Sequence, residues 1–184
     1  MSTGSFVVMR ELPREQIATR LPPSEASLSL VMESLQDPDR MAQVGRFVSQ
    51  AAARATGPDV YRTLLAVKGA WDKPPNHAVC AVWEVKDLVH AAAFVESRQQ
   101  LFTLRQRVLP TFAADWLLKD CDQEGRYMVL GFYGDQEGAT RRCREHPEIK
   151  QFAGAHPASQ YTAVDLTGLL CWRIESLCPA AGTV

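Results

Sequence analysis

Twice along this chain, an apolar strand pattern containing an aromatic residue runs into a charged turn and then into a helical pattern. The first copy is residues 81–102, AVWEVKDLVHAAAFVESRQQLF, and the second is residues 128–152, MVLGFYGDQEGATRRCREHPEIKQF. In the first copy Leu88, Ala91 and Val95 fall on one side of a helix with 3.6 residues per turn. A helix with such an apolar stripe must bury it, and the strand before it belongs to a sheet that the helix can cover. The repeated pattern therefore predicts an α+β fold with helices on one face of a sheet.

Turn residues divide the rest of the chain into short β-rich segments. The predicted strands are 61–67, 78–85, 112–119 and 127–133, followed by either one long strand or two short strands bent at Gly168 within 160–174. Helices are predicted at 88–108 and at 138–155, the second with an interruption at Pro147. The predicted order is β-α-β-β-α-β followed by a further β-α-β.

The segments before residue 60 are harder to assign. Phe6–Leu12 fits a short strand or a packed arm, and residues 27–35 fit either a strand or a helix, with the strand slightly favoured. Asp37 followed by Pro38 is typical of a helix start, because a capping side chain precedes a proline at the first helical position. We therefore predict a helix from this point to Gly57.

These patterns divide the chain into four parts. We predict an N-terminal arm or connector, a first ferredoxin-like unit, a second and partial unit, and a mobile tail, at residues 1–26, 27–120, 121–175 and 176–184. One face of the antiparallel sheet would stay free of helices, and a second sheet packed on it would cover that face. The two sheets would then meet either within one chain or across a homodimer.

Composition excludes several classes of function. The chain has 20 basic and 21 acidic residues and no basic run of five or more, which argues against nucleic-acid binding. No segment approaches the roughly 18 apolar residues of a membrane span, and no signal peptide is evident, so we expect a cytoplasmic protein. Five cysteines without CxxC spacing and four scattered histidines predict neither a disulfide framework nor a metal site.

The two copies resemble a known superfamily. AVWEVKDLVHAAAFVES, and more loosely GFYGDQEGATRRCREHPEIKQF, look like the third strand and second helix of the dimeric α/β barrels. Within that superfamily the chain is most similar to antibiotic-biosynthesis-monooxygenase (ABM) domains. Those domains typically have a strand ending in Trp-Glu, an acidic turn, and a helix containing His/Ser-Pro-x-x-Lys-x-Phe. Trp83-Glu84 fits the first feature and residues 146–152, HPEIKQF, fit the last, and the resemblance covers residues 27–175.

The resemblance implies a cofactor-independent monooxygenase-like protein that binds a small aromatic or quinol-type compound. No metal or other cofactor is expected, because an electron-rich substrate anion can itself reduce O₂. The resemblance implies a homodimer as well. The haem-degrading branch of the superfamily uses a helix Trp and a helix His, and Arg142 and Phe152 stand near those places here, so haem degradation is not expected.

Five residues are candidates for such a site. His146 is the candidate general base, since a neutral imidazole can accept a proton near pH 7. Trp83, Trp116 and Tyr133 are candidate pocket walls, and Arg142 is a candidate contact for an anion.

Each of these five candidates also has an ordinary explanation. A histidine before a proline can be an exposed residue or a helix cap, strand aromatics can be core, and an arginine among glutamates can form surface ion pairs. The alternative function is therefore a non-catalytic ligand-binding or assembly module with the same fold.

Overall fold

A computed structural model of the chain describes residues 4–17 and 26–179. Within these residues the strands are β1 (Phe6–Pro13), β2 (Leu28–Ser34), β3 (Arg40–Phe47), β4 (Val60–Lys68), β5 (His77–Val85), β6 (Phe112–Asp120), β7 (Arg126–Tyr133), β8 (Ala163–Asp165) and β9 (Leu170–Pro179). The helices are α1 (Arg14–Ile17), α2 (Gln50–Thr56), α3 (Ala91–Val108), α4 (Cys143–Glu145) and α5 (Pro147–Ala155). A π-helical segment at Gly138–Arg142 leads into α4, and 3₁₀ turns occupy Leu88–His90 and Ala158–Tyr161.

Eight of these strands close into an antiparallel barrel. Their order is β7-β6-β4-β1-β3-β2-β9-β5, and pairing of β5 with β7 closes the ring. The short strand β8 pairs beside the end of β5. Strands β1–β4 form one half in the order β4-β1-β3-β2, and the other half has the order β6-β7-β5-β9. The predicted α+β fold with antiparallel sheets in an α/β barrel is confirmed, and the barrel closes within one chain.

The barrel interior is filled by alternate side chains of its strands. On β5, Ala78, Cys80 and Val82 belong to the interior cluster, whereas Val79 and Val85 belong to the cluster that faces the helices. This alternation is the two-residue period of a strand. The interior cluster also contains Met9, Leu30, Met32, Val44, Tyr61, Trp116, Leu118, Met128, Leu130, Phe132 and Trp172.

Helix α3 covers the outer face of the half formed by β5–β9. Its buried residues Phe94, Leu101 and Phe102 join Leu117 and Val129 of the sheet in one apolar cluster. The shorter helix α2 contributes Ala53 to a smaller cluster on the other half. The two halves are therefore unequal, and most of the helical cover lies over the half that follows residue 76.

The predicted helices at 88–108 and 138–155 are confirmed, including the break before Pro147. Residues 28–34 form a strand, as favoured, and the segment around Gly168 forms two strands, β8 and β9. Gly168 has a φ of 66°, a left-handed conformation that glycine adopts without strain.

The helix predicted from Asp37 is wrong over its first half, where β3 forms instead. Asp37 and Ser34 cap a hairpin turn: the Asp37 carboxylate accepts the Asp39 N–H at 3.2 Å, and the Ser34 hydroxyl oxygen accepts the Asp37 N–H at 3.1 Å. The helix begins only after Ser49, whose hydroxyl oxygen accepts the Ala52 N–H. A side chain that can cap a helix caps a turn equally well, which explains the error.

The two ends of the chain take part in the barrel. Residues 6–13, placed in the predicted arm, form β1 between β3 and β4, and β9 continues through residue 179 in the predicted tail, paired with β2. Residues 1–3, 18–25 and 180–184 of the predicted arm and tail lie outside the described residues. The division into units at residue 120 stays a prediction, and it falls in the hairpin between β6 and β7.

Candidate ligand site

A cavity of about 300 Å³ opens at one end of the barrel. This volume is at the lower end of the range for small-molecule sites, which are concave and mostly apolar. We call it the Trp cavity, and it is lined by Leu28, Leu30, Lys68, Trp71, Asp72, Lys73, Pro75, Ala113, Ala114, Trp116 and Phe132.

Trp71 lies on the loop between β4 and β5, and two contacts fix this loop. The backbone N–H of Trp71 donates to the Phe112 carbonyl at 3.3 Å, and the backbone N–H of Gly69 donates to the Ala113 carbonyl at 2.7 Å. The indole packs directly on Gly134, where an added Cβ would stand 2.3 Å from Cε2 of Trp71. Glycine at position 134 is therefore required for the observed position of the indole.

Trp116 lies on β6 and points into the barrel. Its ring meets Phe132 of the neighbouring strand edge to face, with centroids 4.8 Å apart, and the Arg46 guanidinium lies 5.8 Å from its centroid. Edge-to-face aromatic pairs and cation–π contacts both stabilise a fixed ring orientation. Trp116 is therefore a rigid wall of the Trp cavity.

The indole N–H groups of Trp71 and Trp116 are both buried, and neither has a hydrogen-bond partner among the described residues. Leaving a buried donor without an acceptor costs about 1–3 kcal/mol. Both indoles belong to residues that line the Trp cavity, so its wall contains two buried donors without partners among the described residues.

The charged groups of the Trp cavity lie on the β4–β5 side. Lys68 and Lys73 supply two ammonium groups, Asp72 supplies one carboxylate, and the Lys73 ammonium lies 5.6 Å from the Trp71 ring centroid. Within the described part of the chain neither lysine forms an ion pair. The excess of positive charge favours the anionic form of an acidic ligand.

A second polar cluster lies under α3, on the opposite face of the sheet. Arg105 donates to the Asp115 carboxylate at 3.0 Å and to the Cys143 carbonyl at 3.1 Å, and the Asp115 side chain is fully buried. Asp115 faces Gly131 on β7, where an added Cβ would stand 2.4 Å from Oδ1 of Asp115. The Tyr133 hydroxyl is buried nearby without a partner among the described residues. This cluster is a buried ion pair under a helix.

Burial changes the acidity of this cluster. It raises the pKa of Asp115 to about 6, although the Arg105 guanidinium opposes the shift. Burial likewise raises the pKa of Tyr133 well above its ordinary value, so its hydroxyl stays protonated. Asp115 would titrate in a useful range for a base, but it is fully buried.

The five predicted site residues do not converge. Trp116 lines the Trp cavity, whereas Trp83 and Tyr133 belong to the apolar cluster on the helix-covered face of the sheet. Trp83 lies 6.2 Å from Phe94, ring to ring, and the Arg98 guanidinium lies over it at 5.8 Å. Trp116 instead faces the barrel interior, on the other side of the sheet from Trp83 and Tyr133.

His146 and Arg142 lie in the segment of α4 and α5. Arg142 forms an ion pair with Glu137 at 2.6 Å, on the protein surface. His146 occupies the position before Pro147, but its side chain makes no capping bond, and its Nδ1 is buried without a partner among the described residues. Neither residue lines the Trp cavity. Their roles in binding or catalysis stay predictions.

Sequence reasoning missed two features of this region. Trp71 stands beside a Pro-Pro loop with no periodic pattern, so only its contact with Gly134, distant in sequence, places it in a site. Arg105 is a charged residue of an amphipathic helix, which the sequence alone would place in solvent, whereas its side chain is buried. The isolated Asp115 within the apolar strand FAADWLLKD was the one local signal of a buried partner.

No protein-family profile matches the chain, and no curated protein sequence matches it. Solved structures match its fold. A monooxygenase-like protein from Listeria innocua gives a TM-score of 0.68 at 9% identity, over 94% of both chains. An anthrone oxidase-like protein gives a TM-score of 0.68 at 10% identity, and the match covers 100% of this chain and 96% of the other. An uncharacterised ferredoxin-fold protein of Listeria monocytogenes 4b F2365 is related to antibiotic biosynthesis monooxygenases. It gives a TM-score of 0.61 at 10% identity, and the match covers 95% of this chain and 96% of the other.

At such low identity these similarities concern the fold. They agree with the strand order, in which each half of the barrel has the 4-1-3-2 arrangement of a ferredoxin-like sheet. No helix among the described residues has the length and apolarity to cross a lipid bilayer. The chain has the ferredoxin-like, dimeric α/β barrel fold of ABM-like proteins.

Proposed function

We propose that this protein binds a small planar compound of the quinol or quinone type in the Trp cavity. The observation that carries the proposal is the pair of buried indole N–H groups, on Trp71 and Trp116, without partners among the described residues. A quinol or quinone has aromatic or conjugated faces for these rings and oxygen atoms that can accept from both donors.

The charge around the Trp cavity supports the same ligand class. Lys68 and Lys73 stabilise a phenolate relative to a phenol, because an opposite charge nearby favours the ionised form. Leu28, Leu30 and Ala114 supply apolar contacts to the ring. The ligand therefore binds as a flat ring with its oxygen atoms at the indoles and the lysines.

Catalysis by cofactor-independent monooxygenation is the second candidate function. In the reaction class that we consider, a ring methylene and one O₂ become a ring carbonyl and one H₂O, after the substrate has lost a proton to a base. The fold similarity and the unpartnered Nδ1 of His146 support it, with His146 as base and Trp83, Tyr133 and Arg142 around the substrate. Among the described residues that line the Trp cavity there is no histidine or tyrosine. Binding without chemistry is therefore the better supported of the two functions.

We further infer a cytoplasmic protein that works as a homodimer and does not bind nucleic acid. The balanced charge of the chain supports the last inference. Light scattering of the purified protein tests the dimer, and a monomer at micromolar concentration would contradict it.

A fluorescence titration tests ligand binding. Tryptophan emission is followed while 1,4-naphthoquinone or 1-naphthol is added, in the wild type and in Trp71→Phe, Trp116→Phe and Ala114→Phe. The first two variants keep a ring and lose one N–H, and we expect each to weaken binding roughly tenfold. Ala114→Phe fills the cavity, and we expect it to abolish binding. Trp83→Phe is the matched control, because Trp83 lies on the other face of the sheet. Equal affinity in all four variants would overturn the proposal.

Oxygen uptake separates the two functions. Anthrone, which has a ring methylene, is added to the wild type and to His146→Gln in a sealed oxygen-electrode cell. Uptake above the protein-free rate that is lost in His146→Gln would support catalysis. Binding without added uptake would leave the protein as a ligand-binding module.

A further inference from the structure

A second and larger cavity, of about 600 Å³, opens at the other end of the barrel. Strands β4 and β7 contribute to both cavities from opposite ends: Lys68 and Phe132 line the Trp cavity, whereas Tyr61 and Met128 line the second one. We call the second one the Tyr61 cavity, and it is lined by Met9, Arg10, Glu11, Leu12, Pro58, Asp59, Tyr61, Cys80, Val82, Arg126, Met128, Thr167 and Leu170.

Tyr61 is an unused hydrogen-bond donor in this cavity. The residue is only 3% exposed, and its hydroxyl forms no hydrogen bond with any other residue that the structure describes. Burial raises the pKa of Tyr61 to about 12, and the nearby Arg126 guanidinium opposes the shift. The hydroxyl is therefore protonated at neutral pH and can donate to an acceptor within the cavity.

Arg126 supplies a positive charge beside Tyr61. Its Nη1 donates to the Gln123 side chain at 3.0 Å, and its Nε is buried without a hydrogen-bond partner among the described residues. The carboxylate of Asp120 is 3.9 Å from Nε, too far for a hydrogen bond, and its Oδ1 accepts backbone N–H groups of the following turn. The guanidinium is therefore held in place with donor capacity to spare.

Asp120 forms an ion pair with Arg126, and the carboxylates that line the Tyr61 cavity are those of Glu11 and Asp59. Glu11, which itself lines the cavity, is engaged with Arg40 in an ion pair. Asp59 is exposed, so water screens its charge. Met9, Val82 and Met128 belong to the apolar interior cluster and form the floor. The cavity thus has an apolar floor and a wall on which Arg126 and Tyr61 have donors without hydrogen-bond partners among the described residues.

We propose that the Tyr61 cavity is a second ligand site, selective for a small amphipathic organic monoanion whose carboxylate or phenolate accepts hydrogen bonds from Arg126 and Tyr61. The apolar part of the anion packs on the methionine and valine side chains of the floor. The site is separate from the Trp cavity and does not depend on the function proposed for it.

Calorimetric titration with a matched pair of probes tests this site. The probes are 1-naphthoate and the neutral 1-naphthalenemethanol, which have the same ring system and differ in the anionic group. We expect wild-type protein to bind the naphthoate at least tenfold more tightly than the alcohol, because charge-assisted hydrogen bonds are the stronger ones. Equal affinity for the two probes would overturn the proposal.

Two variants locate the anion. Arg126→Gln is expected to weaken naphthoate binding at least tenfold and to leave the alcohol nearly unchanged, and Tyr61→Phe to weaken naphthoate binding several-fold. Arg107→Gln, which removes an equal charge from the exposed face of α3, is the control and is expected to bind as the wild type does. Arg126→Lys keeps the charge, so it is expected to recover part of the affinity. Naphthoate binding that is unchanged in Arg126→Gln and Tyr61→Phe would refute the site.

A blocking variant separates this site from the Trp cavity. Ala114→Phe fills the Trp cavity and is expected to leave naphthoate affinity unchanged while it abolishes binding of 1,4-naphthoquinone. If Ala114→Phe abolishes naphthoate binding, the anion binds in the Trp cavity and the second site is refuted. Loss of quinone binding alone would leave both proposals standing, and retention of quinone binding would refute only the proposal for the Trp cavity.

Discussion

The buried ion pair between Arg105 and Asp115 makes a sharp prediction about stability. The Asp115 side chain is fully buried and that of Arg105 is 9% exposed, and their charged atoms are 3.0 Å apart. Removal of one partner from a buried pair leaves an uncompensated charge and costs about 3–5 kcal/mol. In Asp115→Ala the Cys143 carbonyl is the one acceptor among the described residues that the Arg105 guanidinium keeps, so we expect a loss of unfolding free energy in that range.

The double variant should behave differently from the sum of the two single variants. Arg105→Met combined with Asp115→Ala removes both charges, and the methionine can fill much of the volume of the arginine stem. We therefore expect the unfolding free energy of the double variant to be lower than that of the wild type by about 2 kcal/mol or less. The coupling energy between the two sites would then be several kcal/mol in magnitude.

Urea unfolding followed by far-UV circular dichroism measures these free energies. The matched control is the exposed pair Arg107–Glu148, which joins the same helix to α5 at 2.5 Å with side chains 70% and 50% exposed. Exposed pairs contribute about 0–1 kcal/mol, so Arg107→Met and Glu148→Ala should each change stability very little. If Asp115→Ala costs no more than these controls, or if the double variant costs as much as the two single variants together, the reasoning about burial is wrong.

Three further predictions follow from the same side chains and cavities. The folded pKa of Asp115, about 6, lies above its ordinary 3.8, so the stability that Asp115 contributes is present below pH 4 and is lost as the pH rises through 6. Between pH 4 and pH 7 the unfolding free energy of the wild type should therefore fall by about 2–3 kcal/mol relative to that of Asp115→Asn. An equal change with pH in the two proteins would contradict the shift. Gly134→Ala should displace Trp71 and weaken quinone binding, whereas Gly154→Ala, where an added Cβ meets nothing within 4 Å, should leave binding unchanged in the same titration. Burial raises the pKa of Cys80 to about 12, so mass spectrometry after maleimide treatment at pH 8 should find Cys80 unmodified in folded protein and modified in urea; rapid labelling of folded protein would contradict its burial.

The sequence predicted most of the second half of the barrel because each local pattern there fits one type of secondary structure. Helix α3 has a long apolar stripe, and the break before Pro147 has a covalent cause, the missing N–H and fixed φ of proline. The strands from residue 112 to residue 133 are runs of apolar and aromatic residues bounded by turn residues. Such elements depend little on distant contacts, so a single sequence was enough to predict them.

The first half was less predictable for a physical reason. Strand β3 is buried on both faces, so Met41, Val44 and Phe47 repeat at a spacing that also fits a helix. The choice depends on pairing with β1 and β2, which a local pattern does not contain.

The candidate site depended even more on contacts between distant segments. Trp71 becomes a cavity wall only because Gly134 leaves room for it, and Trp116 was predicted as a pocket residue without knowledge of the face it occupies. Alternation along a strand gives two faces, but it does not say which face holds a ligand.

Closure of the barrel within one chain has a consequence for how its two openings can change. In a barrel assembled from two identical chains, every substitution at an opening occurs twice, on facing walls related by the two-fold axis. Here β1–β4 supply one side of each opening and β5–β9 the other, so one substitution changes a single wall. The openings can therefore fit ligands that have no two-fold symmetry, and each would take one molecule per chain, whatever the number of chains in the assembly.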